Sequence, residues 1–205
     1  MHTRRGAVKE LIVASRNKGK VNEIKELLAD LPVKVTSLLD YPKISDVVED
    51  GKTYKANALK KAVAVAKATG KMALADDSGI EVAALGNKPG IYSSRFAGKG
   101  ASEKDKNRKL FEMLQGMPMS KRRARYRCVV ALVDGKAKEI SVAQGTCGGY
   151  ITTRERGTNG FGFDPLFLLK RYGKTFGELA PSLKAKISHR ARALAKIKGI
   201  IKKAI

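Results

Sequence analysis

Two adjacent carboxylates, Asp76 and Asp77, stand at the end of an apolar run. The run predicts a strand over 72–77, and Ser78-Gly79 predicts a tight turn directly after it. Ligands in α/β proteins bind at the ends of strands, and Mg²⁺ prefers carboxylate oxygens. Since neighbouring strand residues point to opposite faces, only one of the two carboxylates can face a given ligand. The pattern suits a metal site, although an ordinary turn uses the same residue types.

The segment SRNKGK lies where the first predicted strand leads into the first predicted helix. Asn17 stands at the expected N-cap, so free backbone N–H groups with Lys18 and Lys20 beside them form a potential anion site. The glycine-rich Walker A pattern is absent, and an N-cap with surface lysines would give the same sequence. The candidates in this segment are Ser15, Arg16, Asn17, Lys18, Gly19 and Lys20.

A later motif, FGFDP, combines two aromatic rings, a glycine hinge and a carboxylate. Such a set suits stacking on a flat base while a polar group contacts the edge of that base, although two aromatics near a strand are more often core residues. His189 and Arg190 begin the stripe of the last predicted helix, where a lone histidine is usually structural or solvated. Upstream, Glu49 could add a carboxylate to a metal site, but it is also typical of a turn. The motif contributes the candidates Phe161, Gly162, Phe163 and Asp164.

The predicted strands and helices must bring these candidate residues together. Local signals fix several boundaries, with Asn17 as an N-cap, Gly70 as a C-cap and Ser102 opening a capping box. Asp134-Gly135 is a strong hairpin signal. Periodicity predicts strands at 7–15, 33–38, 72–77, 80–85, 124–133 and 138–147, and helices at 17–31, 54–69, 102–114 and 182–204. Because strands alternate with helices early and pair as a hairpin later, the sequence predicts an α/β fold with a mixed β-sheet flanked by helices.

The chain is strongly basic, with 42 Lys and Arg against 19 Asp and Glu and a net charge of +23. This excess favours anionic partners but does not distinguish a polymer from a small triphosphate. The basic residues are spread along the whole chain, and neither a zinc-finger spacing nor an RNP-type aromatic strand is present. Nucleic acid is therefore not expected as the main partner, and a solvated basic surface would have the same composition.

Apolar residues make up 43% of the 205 residues, enough for the core of one domain over 1–205. No apolar run reaches the length that crosses a bilayer, and the run after the basic N-terminal residues is too short for a signal peptide. We therefore expect no membrane partner and a cytoplasmic location. Cys128 and Cys147 lack a metal-site spacing and are predicted to be small buried hydrophobes.

Taken together and in order, these segments resemble the noncanonical purine NTP pyrophosphatase family, also called dITP/XTP or inosine triphosphate pyrophosphatases. Five stretches, which span nearly the whole chain, carry the resemblance and are jointly very specific. They are SRNKGK at 15–20, EDGKTYKANALKKA at 49–62, ALADDSGIEVAALGNKPGIYSSRFAG at 73–98, NGFGFDPLF at 159–167 and KISHRARAL at 186–194. The resemblance implies an elongated mixed sheet in two lobes with a central substrate cleft, and a homodimer.

The resemblance also implies a reaction, NTP + water → NMP + pyrophosphate, assisted by Mg²⁺ and preferring ITP, dITP and XTP. It makes Asp77 the proton acceptor that orients the attacking water and contacts the metal, with Ser78 at the substrate. Lys61 joins residues 15–20 on the triphosphate. The base and sugar are assigned to Phe161, Gly162, Phe163, Asp164, Lys184, His189 and Arg190.

The chain departs from the family pattern at Val48, where many relatives carry an acid before the glycine at 51. We therefore expect Glu49 to take that place as a metal ligand, beside Asp76 and Asp77. Donors such as His189 and Arg190, or a backbone N–H, would meet the 6-oxo group of hypoxanthine or xanthine, which adenine lacks. A related pyrophosphatase acting on dTTP, UTP or modified pyrimidines is the alternative within enzymes.

Overall fold

The computed structural model describes residues 9–98 and 100–205. Within these residues a sheet of eight strands has the order β2-β1-β3-β5-β6-β7-β8, with β4 pairing against β3. β1 runs parallel to β2 and β3, and the other pairs are antiparallel. The strands are Glu10–Val13, Lys34–Ser37, Met72–Val82, Lys88–Pro89, Arg123–Val133, Glu139–Ile151, Phe167–Leu169 and Lys174–Thr175, numbered β1 to β8. The predicted mixed sheet is confirmed.

Helices cover both faces of this sheet. Along β1, Leu11 and Val13 pack in one cluster with the helices Lys18–Leu27 and His189–Ala204, whereas Ile12 and Ala14 pack in another with the helix Tyr54–Thr69. This alternation follows from the two-residue period of a strand. The helices are Lys18–Leu27, Tyr54–Thr69, Glu103–Met113, Pro181–Ile187 and His189–Ala204, numbered α1 to α5. A third apolar cluster lies at the other end of the sheet, where α3 packs against β5, β6 and β7.

Most of the local boundary signals are confirmed. The side chain of Asn17 caps α1, Gly70 ends α2 in a left-handed conformation, and Ser102 forms a capping box at the start of α3. The Asp134-Gly135 hairpin joins β5 to β6. Cys128 and Cys147 are free and buried, as predicted. Of the first predicted strand, residues 7 and 8 lie outside the described part of the chain.

The turn predicted at Ser78-Gly79 is wrong, because β3 continues through it to Val82. β5 pairs with β3 residue by residue over 73–82, and this long-range pairing overrides the local turn signal. The glycine serves close packing instead, since a Cβ on Gly79 would lie 2.1 Å from the carbonyl oxygen of Gly90. The two carboxylates at 76 and 77 therefore lie within a strand, just beyond the point where the parallel neighbour β1 ends.

The single helix predicted over 182–204 is also corrected, because it is interrupted at Ser188. This residue is extended, with ψ of 162°, and its side chain caps the next helix by accepting a hydrogen bond from the Ala191 N–H. His189 and Arg190 consequently lie in the first turn of α5, at its N-terminal end. Among the described helices, none combines the length and apolarity needed to cross a membrane.

Candidate active site

A cavity of about 330 Å³ lies where β1 ends, between α1, the middle of β3 and the start of α5. It brings together predicted residues from both ends of the chain. Those that line it are Ser15, Arg16, Asn17, Lys20, Glu49, Lys61, Asp77, Ser78, Phe161, Gly162, Phe163, Asp164, Lys184, His189 and Arg190. Three predicted residues do not line it. Lys18 is exposed, Gly19 lies behind an aromatic ring, and Asp76 points to the other face of β3.

Asp77 is a buried carboxylate at the floor of the cavity, with 3% of its surface exposed. Its Oδ2 accepts a hydrogen bond of 3.1 Å from Asn57 Nδ2. The amide of Asn57 is held in this orientation because its Oδ1 accepts from the Gly51 N–H at 2.8 Å. Burial raises the pKa of Asp77, and the nearby Glu49 adds to this against the opposing effect of Lys61. A carboxylate of raised pKa that faces a cavity is suited to accept a proton.

Asp76 has the opposite environment, because it faces α1 and α5. Its Oδ2 accepts from Arg190 Nη2 at 3.0 Å and from Ser78 Oγ at 3.1 Å, and it lies 3.3 Å from Lys20 Nζ. Burial opposes the charge, but Lys20, Arg190 and Lys61 outweigh it and lower the pKa of Asp76. Its Oδ1 is buried without a hydrogen-bond partner among the described residues. Asp76 therefore holds the surrounding cations in place.

Lys61 approaches from α2, one helical turn after Asn57 and on the same side of the helix. Its ammonium donates to the carbonyl oxygen of Asp76 at 2.7 Å and to the carboxylate of Glu49. Burial alone would lower the pKa of Lys61, but Asp76, Glu49 and Asp77 raise it. The ammonium is thus a fixed positive charge beside the Asp77 carboxylate.

The start of α1 forms the wall opposite α2. Asn17 Oδ1 accepts the Lys20 N–H at 3.0 Å, which fixes the first turn of the helix. At Gly19 a Cβ would lie 2.4 Å from the ring of Phe161, so only glycine lets that ring pack on the helix start. The predicted anion-binding turn and the predicted aromatic motif are therefore neighbours in space.

Arg16 turns away from the helix start and binds the loop that follows β2. Its Nη1 donates to the Leu38 carbonyl at 2.6 Å, its Nη2 to the Ile44 carbonyl at 2.5 Å, and its Nε to the Asp46 carboxylate at 3.0 Å. This loop leads to Asp46 and Glu49 on the cavity wall. The guanidinium is thus occupied in holding the loop, a contact that the sequence pattern does not reveal.

Phe161 forms an aromatic wall flanked by cations. The Nζ of Lys184 lies 5.0 Å from the ring centroid, and the guanidinium carbon of Arg190 lies 5.7 Å from it. Asp164 holds this loop together, because its Oδ2 accepts from the Phe161 N–H at 2.8 Å and from Lys184 Nζ at 2.5 Å. Burial raises the pKa of Asp164 in spite of the Lys184 charge.

His189 lies in the cavity wall and stacks on Tyr126, with ring centroids 4.4 Å apart and planes 7° from parallel. Its Nδ1 is buried without a partner among the described residues. Burial, together with the charges of Arg190 and Lys184, lowers the pKa of His189 well below its usual range. The ring is therefore neutral, with one nitrogen as a donor and the other as an acceptor.

Comparisons with known proteins show the family of this chain. The Ham1 family model matches residues 11–200, nearly the whole described chain. The chain belongs to the Ham1 family. It is 46% identical over 192 residues to a dITP/XTP pyrophosphatase of Desulforamulus reducens, covering 94% of this chain and 95% of that one. It is 47% identical over 188 residues to the dITP/XTP pyrophosphatase of Geobacter sulfurreducens, covering 92% and 94%.

Solved Ham1 structures share the fold. A HAM1 protein from Coxiella burnetii superposes with a TM-score of 0.85 at 38% identity, covering 96% of this chain and 100% of that one. The Ham1 protein of Staphylococcus aureus gives a TM-score of 0.82 at 36% identity, with the same coverage. At this level of identity and coverage the arrangement of the sheet and helices is that of the Ham1 family.

The Ham1 site also contains residues that the sequence reasoning missed. Asn57 orients Asp77, and Tyr126 supports His189. Glu23 accepts from Lys184 Nζ at 2.6 Å and from Arg190 Nη1, and so ties α1 to α4 and α5. Two sequence signals were available for these residues. Helical spacing places Glu23 on the same side of its helix as Lys20 and Asn57 on the same side as Lys61. In β5, Tyr126 alternates with arginines, which indicates that it faces inward.

No group of three or more His, Cys, Asp or Glu side chains within residues 9–98 and 100–205 is arranged to hold a metal ion. Of the three predicted ligands, Asp77 and Glu49 line the Ham1 cavity, whereas Asp76 does not, because Lys20, Ser78 and Arg190 cover its carboxylate. Mg²⁺ usually binds one or two protein carboxylates together with phosphate oxygens and waters. The residues of the cavity therefore fit a metal that binds with a phosphate ligand.

Proposed function

We propose that this chain is a dITP/XTP pyrophosphatase that hydrolyses noncanonical purine nucleoside triphosphates to the monophosphate and pyrophosphate. The observation that carries the proposal is the position of Asp77, a buried carboxylate of raised pKa beside the fixed ammonium of Lys61. The aromatic ring of Phe161 and the neutral His189 line the same cavity. The Ham1 relatives that bear this name match more than nine-tenths of the chain and support the assignment.

The reaction requires a base and an oriented water. Asp77 takes a proton from the water as its oxygen attacks the α-phosphorus, and the bond from the α-phosphorus to the bridging oxygen breaks to release pyrophosphate. Asn57 donates to one carboxylate oxygen, which leaves the other toward the cavity. Such a positioned base typically contributes a factor of about 10² to 10⁴ to the rate.

Charge that develops on the pyrophosphate must be neutralised, and fixed cations do this with little reorganisation. Lys20 and Lys61 line the cavity on either side of Asp77, and the N-terminal turn of α1 adds backbone N–H groups near Ser15 and Asn17. Mg²⁺, when bound by Asp77 and Glu49, supplies further positive charge against the phosphate oxygens. Asp76 acts indirectly, because it anchors Lys20 and Arg190, which line the cavity.

The base is proposed to stack on Phe161 and to present its edge to His189. The N–H groups of Arg190 already bind Asp76, Glu23 and Ser78, which leaves His189 as the better donor to a 6-oxo group. Adenine has an amino donor at that position, and the mismatch costs about 1–3 kcal/mol for each polar group left unpaired. Lys184, held by Asp164, lies beside the same ring as a further contact for the sugar or base.

A panel of nucleotides tests this function directly. Pyrophosphate release should be rapid with ITP, dITP and XTP, slow with ATP and GTP, and abolished by EDTA. The pyrimidine alternative predicts that dTTP or UTP exceeds ITP, and that result would replace the purine assignment. Release of orthophosphate instead of pyrophosphate would contradict attack at the α-phosphorus.

Replacing Arg16 with alanine should lower kcat/KM about tenfold or more by loosening the loop that carries Glu49. The reason is the loss of four charged hydrogen bonds to that loop, and the bonds of a charged group are worth about 1.5–3 kcal/mol each. Limited proteolysis should cut the R16A loop between 39 and 52 faster than the wild-type loop. The matched variant Lys20→Ala should impair kcat and KM without this cleavage. If R16A resists cleavage and mainly weakens inhibition by pyrophosphate, Arg16 binds phosphate as the sequence first suggested.

The remaining family features are part of the same proposal. They are a single catalytic domain over 1–205, two lobes that close on a central cleft, a homodimer and a cytoplasmic location. Light scattering of the purified protein tests the dimer. Closure of the lobes changes the shape of the protein. A change of the small-angle X-ray scattering profile on adding ITP, with Ca²⁺ in place of Mg²⁺, would therefore support closure.

A further inference from the structure

A second cavity of about 710 Å³ lies on the far part of the sheet, away from the Asp77 site. We call it the basic groove. The strands β3, β5 and β6 line it together with the segment after β7 and the α4–α5 corner. Its charged and aromatic lining residues are Glu81, Arg123, Arg125, Tyr150, Lys170, Arg171, Tyr172 and Arg192.

Most of the charged residues that line the basic groove are positively charged. Among the described residues that line it, five are basic and one, Glu81, is acidic. That acid is already shared, because its carboxylate accepts from Arg125 Nε at 2.5 Å and from Arg127 Nε at 2.8 Å. The catalytic cavity is different, with six basic and five acidic residues among those that line it. The groove is therefore a local concentration of positive charge and not merely a sample of a basic surface.

The floor of the groove is open. Arg125 lies opposite Gly148 in the β5–β6 register, and Arg123 lies opposite Tyr150 two residues away, so all four face the same side of the sheet. A Cβ added at Gly148 would meet no atom within 4 Å. An extended chain can thus lie over the glycine, with the two arginines along one edge.

Aromatic rings stand among the cations. The Nζ of Lys170 lies 4.3 Å from the ring centroid of Tyr150, and the guanidinium carbon of Arg171 lies 5.8 Å from that of Tyr172. Proteins that bind single-stranded nucleic acid combine a positive groove along the backbone with aromatic rings on which bases stack. The groove has both features.

We propose that the basic groove binds single-stranded nucleic acid, at a site separate from the triphosphate cavity. The arginines at 123, 125, 171 and 192 contact the phosphates, and the two tyrosines contact the bases. An acidic peptide would use the cations but not the rings. A second copy of this chain is disfavoured, since two such grooves facing each other would repel.

The test is the binding of a fluorescein-labelled oligothymidylate of about 15 nucleotides, followed by fluorescence anisotropy at several salt concentrations. Wild-type protein should bind with an affinity that falls steeply with salt. Arg123→Ala with Arg171→Ala should weaken binding about tenfold or more and flatten the salt dependence. Gly148→Glu, which places a negative charge on the open floor, should weaken it at least as much.

Lys67→Ala with Arg108→Ala is the matched control, because it removes two exposed positive charges outside the groove. It should bind the oligonucleotide nearly as the wild type does. All these variants should release pyrophosphate from ITP at the wild-type rate, so the groove and the catalytic proposal can fail independently. Thermal melting confirms that each variant is folded.

Several outcomes would overturn the proposal. Equal weakening by the control variant would mean that overall charge, and not the groove, binds the strand. Tighter binding of poly-glutamate than of the oligonucleotide would assign the groove to an acidic protein. A wild-type dimer that Gly148→Glu converts to a monomer would show that a second copy covers the groove.

Discussion

Replacing Asp77 with asparagine should abolish turnover of ITP while leaving the fold and nucleotide binding largely intact. An amide matches the carboxylate in shape but cannot accept a proton from the attacking water, so kcat should fall by about 10²-fold to 10⁴-fold. Asn57 Nδ2 can still donate a hydrogen bond to the amide oxygen of the new side chain. Pyrophosphate release measures the rate, and calorimetric titration with ITP measures the binding that remains.

The same variant should keep its stability. A carboxyl whose pKa is raised on folding favours the folded state below its unfolded pKa, and that contribution is lost as the pH rises through the folded pKa. Near pH 7 the ionised Asp77 therefore adds nothing to stability, and its neutral replacement should unfold at an equal or higher urea concentration. Asp30→Asn is the control, because it neutralises an exposed carboxylate that does not line the cavity. Near-normal kcat in D77N would remove Asp77 from the catalytic role.

The sequence predicted most members of the site because their signals are local. A helix start before Lys18, a helix end at Gly70 and the aromatic motif around Phe161 each depend on a few neighbouring residues. The fold class followed from the order of such signals. The Ham1 resemblance then connected segments that the local patterns could not join.

The sequence could not predict what each side chain contacts across the fold. Glu23 meets Lys184 and Arg190 from positions 161 and 167 residues away, so helical spacing can indicate Glu23 itself but not its partners. Arg16 lies beside a potential phosphate turn, yet the loop after β2 folds back and occupies its guanidinium. The predicted turn after Asp77 failed for the same reason, since pairing with β5 keeps β3 extended.

Asp76 and Asp77 are chain neighbours, yet their replacements should affect the stability of the fold differently. Asp76→Asn should destabilise the fold by about 3–5 kcal/mol, because it leaves the buried charge of Arg190 with less compensation and weakens the anchor of Lys20. Activity should also fall, since both cations would lose their positions in the cavity. Urea denaturation of metal-free protein in EDTA measures the stability, with D77N as the matched control.

The pH dependence separates this explanation from simple mispacking. Because the folded pKa of Asp76 is lowered from 3.8, its contribution to stability is present above that value and is lost as the pH falls toward the folded pKa. The difference in unfolding free energy between wild type and D76N should therefore be large at pH 7 and shrink below about pH 4. A difference that stays constant with pH would mean that Asp76 contributes shape and not charge. A D76N protein as stable as the wild type would mean that Glu23 alone can compensate Arg190.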